Sequence, residues 1–415
     1  MLKIYGMMML GAMLWMTSCT SEDATKEVAP QEAIAISFGC NYDDEEEDIT
    51  KNTTRAGYEG AMNTEDLYTT GFGAMASVTA GTPPTYDNKP NLMYNQEVEY
   101  THVGDMENPL TGYWSYQPVK YWPTDLTHCY ISAYAPYMDP AYLNSLTPAQ
   151  LADELGIYGI SANNVPPYVD YRRCDKPSEV VDLLWYYEEP TAIPAKTAQQ
   201  AAGTLNMKMR HALTRLELKV ALASDVELDA GTKVLIEKIT LTGQMAKTGR
   251  LHLYEQKTET VGEGPGAVTK YYPIWSGQTY DLDHSIKIKN EDNDPESYGI
   301  IDSQVRYIEG MPYSWQPAGL KVYNPLAPEG TDDGMRNALS TGDRTGYVYL
   351  IPQPSAKPEE GGPTGLELTV EVKYHQMTSG SDKKTTTTKT TTVASPLKGN
   401  TTYTLNLTLK KIVDP

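Results

Sequence analysis

The sequence predicts an all-β protein with small peripheral helices, on three observations. Most periodic segments repeat with period two, the mark of strands that bury one face. Aromatic usage is lopsided, with 31 Tyr and 6 Trp against only Phe38 and Phe72, and tyrosine packs its ring in a sheet while its hydroxyl stays wet. Gly (32) and Pro (28) punctuate the intervals as turns and loops.

In chain order, the first expected strand is Ala33–Phe38, apolar at Ala33, Ile34, Ile36 and Phe38. Cys129–Ala135 is the next. A helix is expected from Thr147 to Gly156: Thr147 can cap it, Pro148 has the φ wanted at the first helical position, and Gln150 completes a capping box. From Pro190 to Gly203 the only large apolar residue is Ile193, which marks a boundary between a domain at 56–195 and one at 204–415. A chain of 415 residues suits two such domains, with one large domain as the alternative.

Beyond the boundary, Arg215–Val220, Val234–Thr242, Arg250–Tyr254 and Tyr347–Ile351 read as strands. Leu366–Tyr374 alternates cleanly, and with the threonine-rich run Thr385–Val393 it forms an expected hairpin. Thr401–Leu409 alternates again, with Tyr403, Leu405, Leu407 and Leu409 on one face.

The leading residues carry signals of another kind. One cation, Lys3, precedes an uncharged stretch from Ile4 to Met16, too short for a lasting membrane span and suited to a signal peptide over residues 1–18. Cys19 follows Met16-Thr17-Ser18 where cleavage should fall, as in a bacterial lipobox whose thiol takes a lipid, with palmitate among its acyl chains. Thr20–Glu27 is a polar tether. The acidic run Asp43–Asp48 resists compaction, and Arg55 follows in a polar stretch that an arginine-directed protease could enter, cutting before Ala56. Residues 19–55 thus read as tether plus removable segment.

Charge and motifs exclude more than they assign. A net charge of -20 repels nucleic acid and anionic headgroups. There is no nucleophile elbow, no His-Glu-x-x-His pair and no phosphate loop, so no catalytic residue and no cofactor is expected. His102, His128, His211, His252, His284 and His375 are scattered singly, the four cysteines lack zinc spacing, and Asp292-Asn293-Asp294 lacks the ligand spacing of a calcium loop, so no metal is expected either. Cys129 and Cys174 could form a disulfide outside the cytoplasm, a point the sequence leaves open.

Several segments taken together resemble a known family. They are Thr54–Gly57, Tyr113–Pro123, Ile131–Pro136, His211–Lys219, Tyr349–Gln353 and Leu397–Leu405, and in this order they resemble the fimbrillin family, the type V pilins of Gram-negative anaerobes. The resemblance implies two consecutive transthyretin-like β-sandwich domains and export as an outer membrane lipoprotein. It also implies trimming by an arginine-specific protease and assembly with other pilin subunits into adhesive fimbriae that grip a host or bacterial receptor.

On that reading Ala33, Ile34, Ile36 and Phe38 lie on a strand that leaves after cleavage at Arg55, and a neighbour's strand enters the open groove by β-augmentation. Tyr403, Leu405, Leu407 and Leu409 are the candidate donor row, worth about 6 to 12 kcal/mol gross if buried. No further strand follows them before Pro415, so stalk and tip positions both stay open. The alternative function is a glycan-binding surface lipoprotein that uses Trp114, Trp122, Trp185, Trp275 and Trp315 as aromatic platforms.

Overall fold

The computed structural model describes residues 35–42, 64–79, 90–103, 112–122, 128–175, 180–188, 191–192, 205–222, 233–289, 299–302, 322–323, 348–353, 367–377, 385–394 and 397–409. The first half runs β1 (Phe38–Tyr42), α1 (Thr64–Thr70), β2 (Phe72–Thr79), β3 (Met93–His102), β4 (Gly112–Ser115), β5 (His128–Ala135), α2 (Pro140–Ser145), α3 (Pro148–Asp153), β6 (Gly156–Ile160), β7 (Tyr168–Arg172), β8 (Leu184–Tyr187) and β9 (Thr191–Ala192). The second runs β10 (Leu205–His211), β11 (Thr214–Leu222), β12 (Lys233–Val261), β13 (Val268–Lys289), β14 (Gly299–Asp302), β15 (Val322–Tyr323), β16 (Val348–Leu350), β17 (Glu367–Met377), β18 (Thr385–Ala394) and β19 (Thr401–Leu409). The protein is all-β, with helices confined to short pieces.

An eight-stranded sheet has the order β1-β10-β8-β5-β2-β3-β4, with β9 beside β5. Its central strands are buried on both faces, and their alternation sorts side chains between two cores. Ala74, Ala76 and Val78 of β2, Ile131 and Ala133 of β5, and Leu184 and Tyr186 of β8 face the first core. Met75, Tyr134, Trp185 and Tyr187 face the second. The first core is covered by Leu67 of α1 and by β1; the second packs on Ile157 of β6, Val169 and Tyr171 of β7, and Ala246, Leu251 and Leu253 of β12. Strands buried on both sides read as near-continuous apolar runs, which is why Phe72–Thr79 is hard to recognise by period two.

The helix expected after Thr147 is α3. The Thr147 hydroxyl accepts from Gln150 N–H, while the Gln150 side chain accepts from Thr147 N–H. Gly156 takes φ 73° and turns the chain into β6, a left-handed conformation that costs glycine little.

Two segments differ from the sequence reading. β10 lies beyond the boundary expected at 195–204, yet it pairs antiparallel with β8 inside the first sheet. Leu205, Met207 and Met209 bury one row there and leave Asn206 and Lys208 exposed, so β10 belongs to the first sheet. Val234–Thr242 and Arg250–Tyr254, read as two strands, are parts of the 29-residue β12. The small and polar residues between them do not end the strand. They bulge it, with register shifts against β13 at Gly243/Met245 and Ala246/Thr248, and bulges bend a strand and change its aim. Below the bulges β12 pairs with β14 and β17; above them it pairs with β7.

β17 and β18 form the expected hairpin, paired from Glu367↔Ala394 to Gln376↔Thr385. β11 pairs with β15 and β16, and along its whole length in parallel with β19. Cys129 and Cys174 are both buried and belong to different cores, and no disulfide joins them.

The middle of β12 thus belongs to the second core, and this can be tested by a pair of variants. Leu251, fully buried, and Leu282, 74 % exposed, both lie on the long β12–β13 hairpin. Leu251→Ala is expected to lower the free energy of unfolding by about 2–5 kcal/mol. Leu282→Ala is expected to stay within about 0.5 kcal/mol of the parent. Chemical denaturation of both measures the contrast.

Candidate functional site

The site is a strand slot in the first sheet, filled by residues 35–42. An edge strand presents unpaired N–H and C=O groups, and this sheet has two such edges, β10 and the chain that continues from β4. Residues 35–42 touch both. β1 runs parallel to β10, in register from Phe38↔Leu205 to Tyr42↔Met209, and Leu205 N–H donates to Ser37 C=O at 2.9 Å. On the other side Ile36 N–H donates to Lys120 C=O at 2.9 Å, and Ala35 bridges to Tyr121. The Tyr116 hydroxyl donates to Ile36 C=O at 2.8 Å and accepts from Lys120 N–H at 3.2 Å. Burial raises the Tyr116 pKa above the usual phenol value, which keeps that donor protonated.

The side chains alternate as the backbone requires. Ile36 (2 % exposed), Phe38 (5 %) and Cys40 (2 %) point into the first core. The Phe38 ring meets Phe72 and Tyr116 edge-on, with centroids 5.7 and 5.4 Å away. Burial pushes the Cys40 thiol far above its ordinary pKa, so it acts as a small neutral packing group. Burying Ile36 and Phe38 contributes about 1.5–3 kcal/mol each.

β19 occupies the equivalent place beside β11, parallel to it from Thr214↔Thr401 to Leu222↔Leu409. The turn ahead of it is clamped to the corner between β10 and β11. Asn400 N–H donates to Leu213 C=O at 3.1 Å, and the Thr214 hydroxyl donates to Lys398 C=O at 2.8 Å. A Cβ on Gly399 would stand 2.7 Å from the Ala212 carbonyl oxygen and 2.5 Å from Pro273 Cγ, so only glycine fits.

The same corner holds a buried charge cluster. Asp182 Oδ2 lies 2.7 Å from His211 Nδ1, and His211 Nε2 lies 2.7 Å from Arg215 Nη1. Arginine can only donate, so Nε2 accepts and the ring hydrogen sits on Nδ1, facing the carboxylate. His211 ends β10 and Arg215 opens β11, so the cluster ties the slot strand to the strand that seats β19.

Of the residues expected at the site, Ile36 and Phe38 are brought into the slot. Tyr403 is half-buried, and Leu405, Leu407 and Leu409 lie along β19. Ala33, Ile34, Cys19, Arg55, Ala56 and Trp315 lie outside the described residues. Trp114, Trp122 and Trp185 are buried in the cores, and Trp275 is half-buried with its indole N–H donating to Ala212 C=O at 3.1 Å, so these four are not open platforms for a glycan. Sequence reasoning missed Cys40 and the 116–121 edge. The alternation Ile36, Phe38, Cys40 was the available signal, hidden because the expected strand stopped at Phe38. Among the described residues no group of His, Cys, Asp and Glu could hold a metal ion, and no helix is long and apolar enough to cross a membrane.

These features define a class: an all-β protein whose first sheet is completed by a leading strand. The profile of the fimbrillin-like family matches residues 54–314, and the chain belongs to that family. Its role is therefore fimbrial, at the cell surface among other pilin subunits. A search of curated protein sequences returned no match. Among solved structures, the chain is similar to a candidate cell adhesion protein from Bacteroides ovatus at 14 % identity and TM-score 0.37, covering 91 % of this chain and 92 % of that one. It is similar to another from Bacteroides uniformis at 11 % identity and TM-score 0.33, covering 88 % and 98 %. Scores this low carry no argument of their own.

Two sets of variants test the geometry. Tyr116→Phe removes the hydroxyl that meets Ile36 C=O and is expected to cost about 0.5–1.5 kcal/mol, whereas Phe38→Ala is expected to cost about 3–5 kcal/mol. Hydrogen exchange at residues 36–42 should speed up in both, more in the second. Arg215→Met removes the cation of the buried Asp182–His211–Arg215 cluster and leaves His211 Nε2 without its donor, and it is expected to lower stability by about 3–5 kcal/mol in chemical denaturation.

Proposed function

We propose that the chain is the precursor of a structural or tip subunit of type V surface fimbriae, polymerised by strand exchange for adhesion. The observation that carries this reading is the seat of residues 35–42, ahead of Arg55 and bonded to the sheet on both sides. Cleavage after Arg55 frees that segment from the chain that follows. Its departure leaves two lines of unpaired backbone groups and an apolar floor of Phe72, Tyr116, Leu205, Met207 and Met209 in water. A strand from a neighbouring subunit restores both, main-chain bonds giving affinity and alternation giving register.

The signal peptide and Cys19 deliver the precursor to the outer membrane as a lipoprotein, and an arginine-specific protease releases it from that anchor. We read the body as two transthyretin-like sandwiches that meet near Ala212–Leu213. β19 is the candidate donor, since it is held in parallel on β11 as β1 is on β10. An adhesive contact with a host or bacterial receptor belongs to the assembled fibre.

Incubating the purified precursor with an arginine-specific protease tests this reading. The expected result is a new N-terminus at Ala56 followed by ladders of oligomers, both abolished by Arg55→Ala. A chain cut after Arg55 that stays monomeric at high concentration, with or without added subunits of the same fibre, would sink the proposal.

A further inference from the structure

We propose that the slot is read by side-chain size, and that it selects from a neighbouring subunit a strand whose inward row is aliphatic, then aromatic, then small, the small residue occupying the seat of Cys40. This rests on the strand-exchange reading above and says which strand the slot accepts.

The three seats differ in what surrounds them. The Ile36 seat lies between the two sheet edges, where the backbone is bonded to Lys120 and Tyr116. An aliphatic side chain fills it. The Phe38 seat is a ring-lined socket, walled edge-on by Phe72 and Tyr116, and an aromatic side chain matches those contacts in a way an aliphatic one does not.

The Cys40 seat is the tight one. Cys40 is 2 % exposed and pairs in register with Met207, whose side chain is itself buried, in the core that also holds Tyr186 of β8 and has Tyr68 of α1 packed against it. Neither ring is free to swing away. Tyr68 stacks flat on Tyr100 at 3.9 Å and meets Trp114 edge-on at 5.6 Å. Tyr186 donates its hydroxyl to Glu188 at 3.0 Å. A side chain larger than cysteine would overpack this buried core, which is costly.

The chain's own candidate donor row has the wrong pattern for this seat. Laid in the direction of β1, Tyr403, Leu405, Leu407 and Leu409 put a leucine in the third seat in each register that fills the second with Tyr403, Leu405 or Leu407. A copy of this chain is therefore a poor partner for itself in that direction. The strand that fits comes from a different subunit, with Ala, Ser, Gly or Cys at the third inward position.

The test uses the full chain cut after Arg55 and fluorescent peptides that displace the retained segment. The peptides are the natural 33–42 sequence, its Cys40→Ala and Cys40→Leu versions, and the 401–409 sequence. Cys40→Ala is expected within about threefold of the natural peptide, whereas Cys40→Leu and the 401–409 peptide should bind at least about tenfold more weakly, the equivalent of about 1.4 kcal/mol. Equal binding by the Cys40→Leu or the 401–409 peptide overturns the size reading and leaves the slot intact. Failure of the natural peptide to enter overturns the slot and this inference together. In the uncut chain, Cys40→Leu should lower Tm more than Cys40→Ala; the opposite order counts against the tight seat.

Discussion

Two sheet edges and one strand between them organise this protein. Without residues 35–42, β10 and the 116–121 segment would each present unpaired backbone groups, and the core behind them would lie open along Phe72, Tyr116 and the methionines of β10. Such an edge is a template for whatever extended chain arrives first. Here the chain's own leading segment fills the place, and residues 43–63, between it and α1, are mostly polar. The strand therefore closes the sheet at both edges.

The place where β10 becomes β11 joins this slot to the rest of the molecule. Ala212 and Leu213 turn the chain from the first sheet to the sheet of β11, and the turn before β19 packs so closely on them that Gly399 has no room for a Cβ. Asp182, His211 and Arg215 fix the corner from within. A buried cluster of this kind adds little net stability compared with apolar packing, but it allows one arrangement and penalises others. The strand that floors the slot and the strand that seats β19 therefore keep a fixed relation.

Strands that alternate in sequence were legible, and the doubly buried centre of the first sheet was not. Leu366–Tyr374 and Thr401–Leu409 alternate in sequence, and with the threonine-rich Thr385–Val393 they correspond to β17, β19 and β18. Thr147 and Gln150 announced α3 because capping is local chemistry. Phe72–Thr79 carries no alternation because both its faces are covered. β12 read as two strands because a bulge and a break use the same small and polar residues, and only the neighbouring strands distinguish them.

By itself the sequence determined that the chain is built of strands, that an arginine in a polar stretch follows a short apolar segment, and that it carries no nucleophile elbow, no His-Glu-x-x-His pair and no phosphate loop. Those are properties of neighbouring residues, written in periods, caps and charge runs. Only the tertiary structure decided that Ile36, Phe38 and Cys40 lie between β10 and Lys120, and that Trp114, Trp122 and Trp185 are core residues. Strand pairing joins residues far apart in sequence, and a row of apolar side chains carries no record of which edge it will complete.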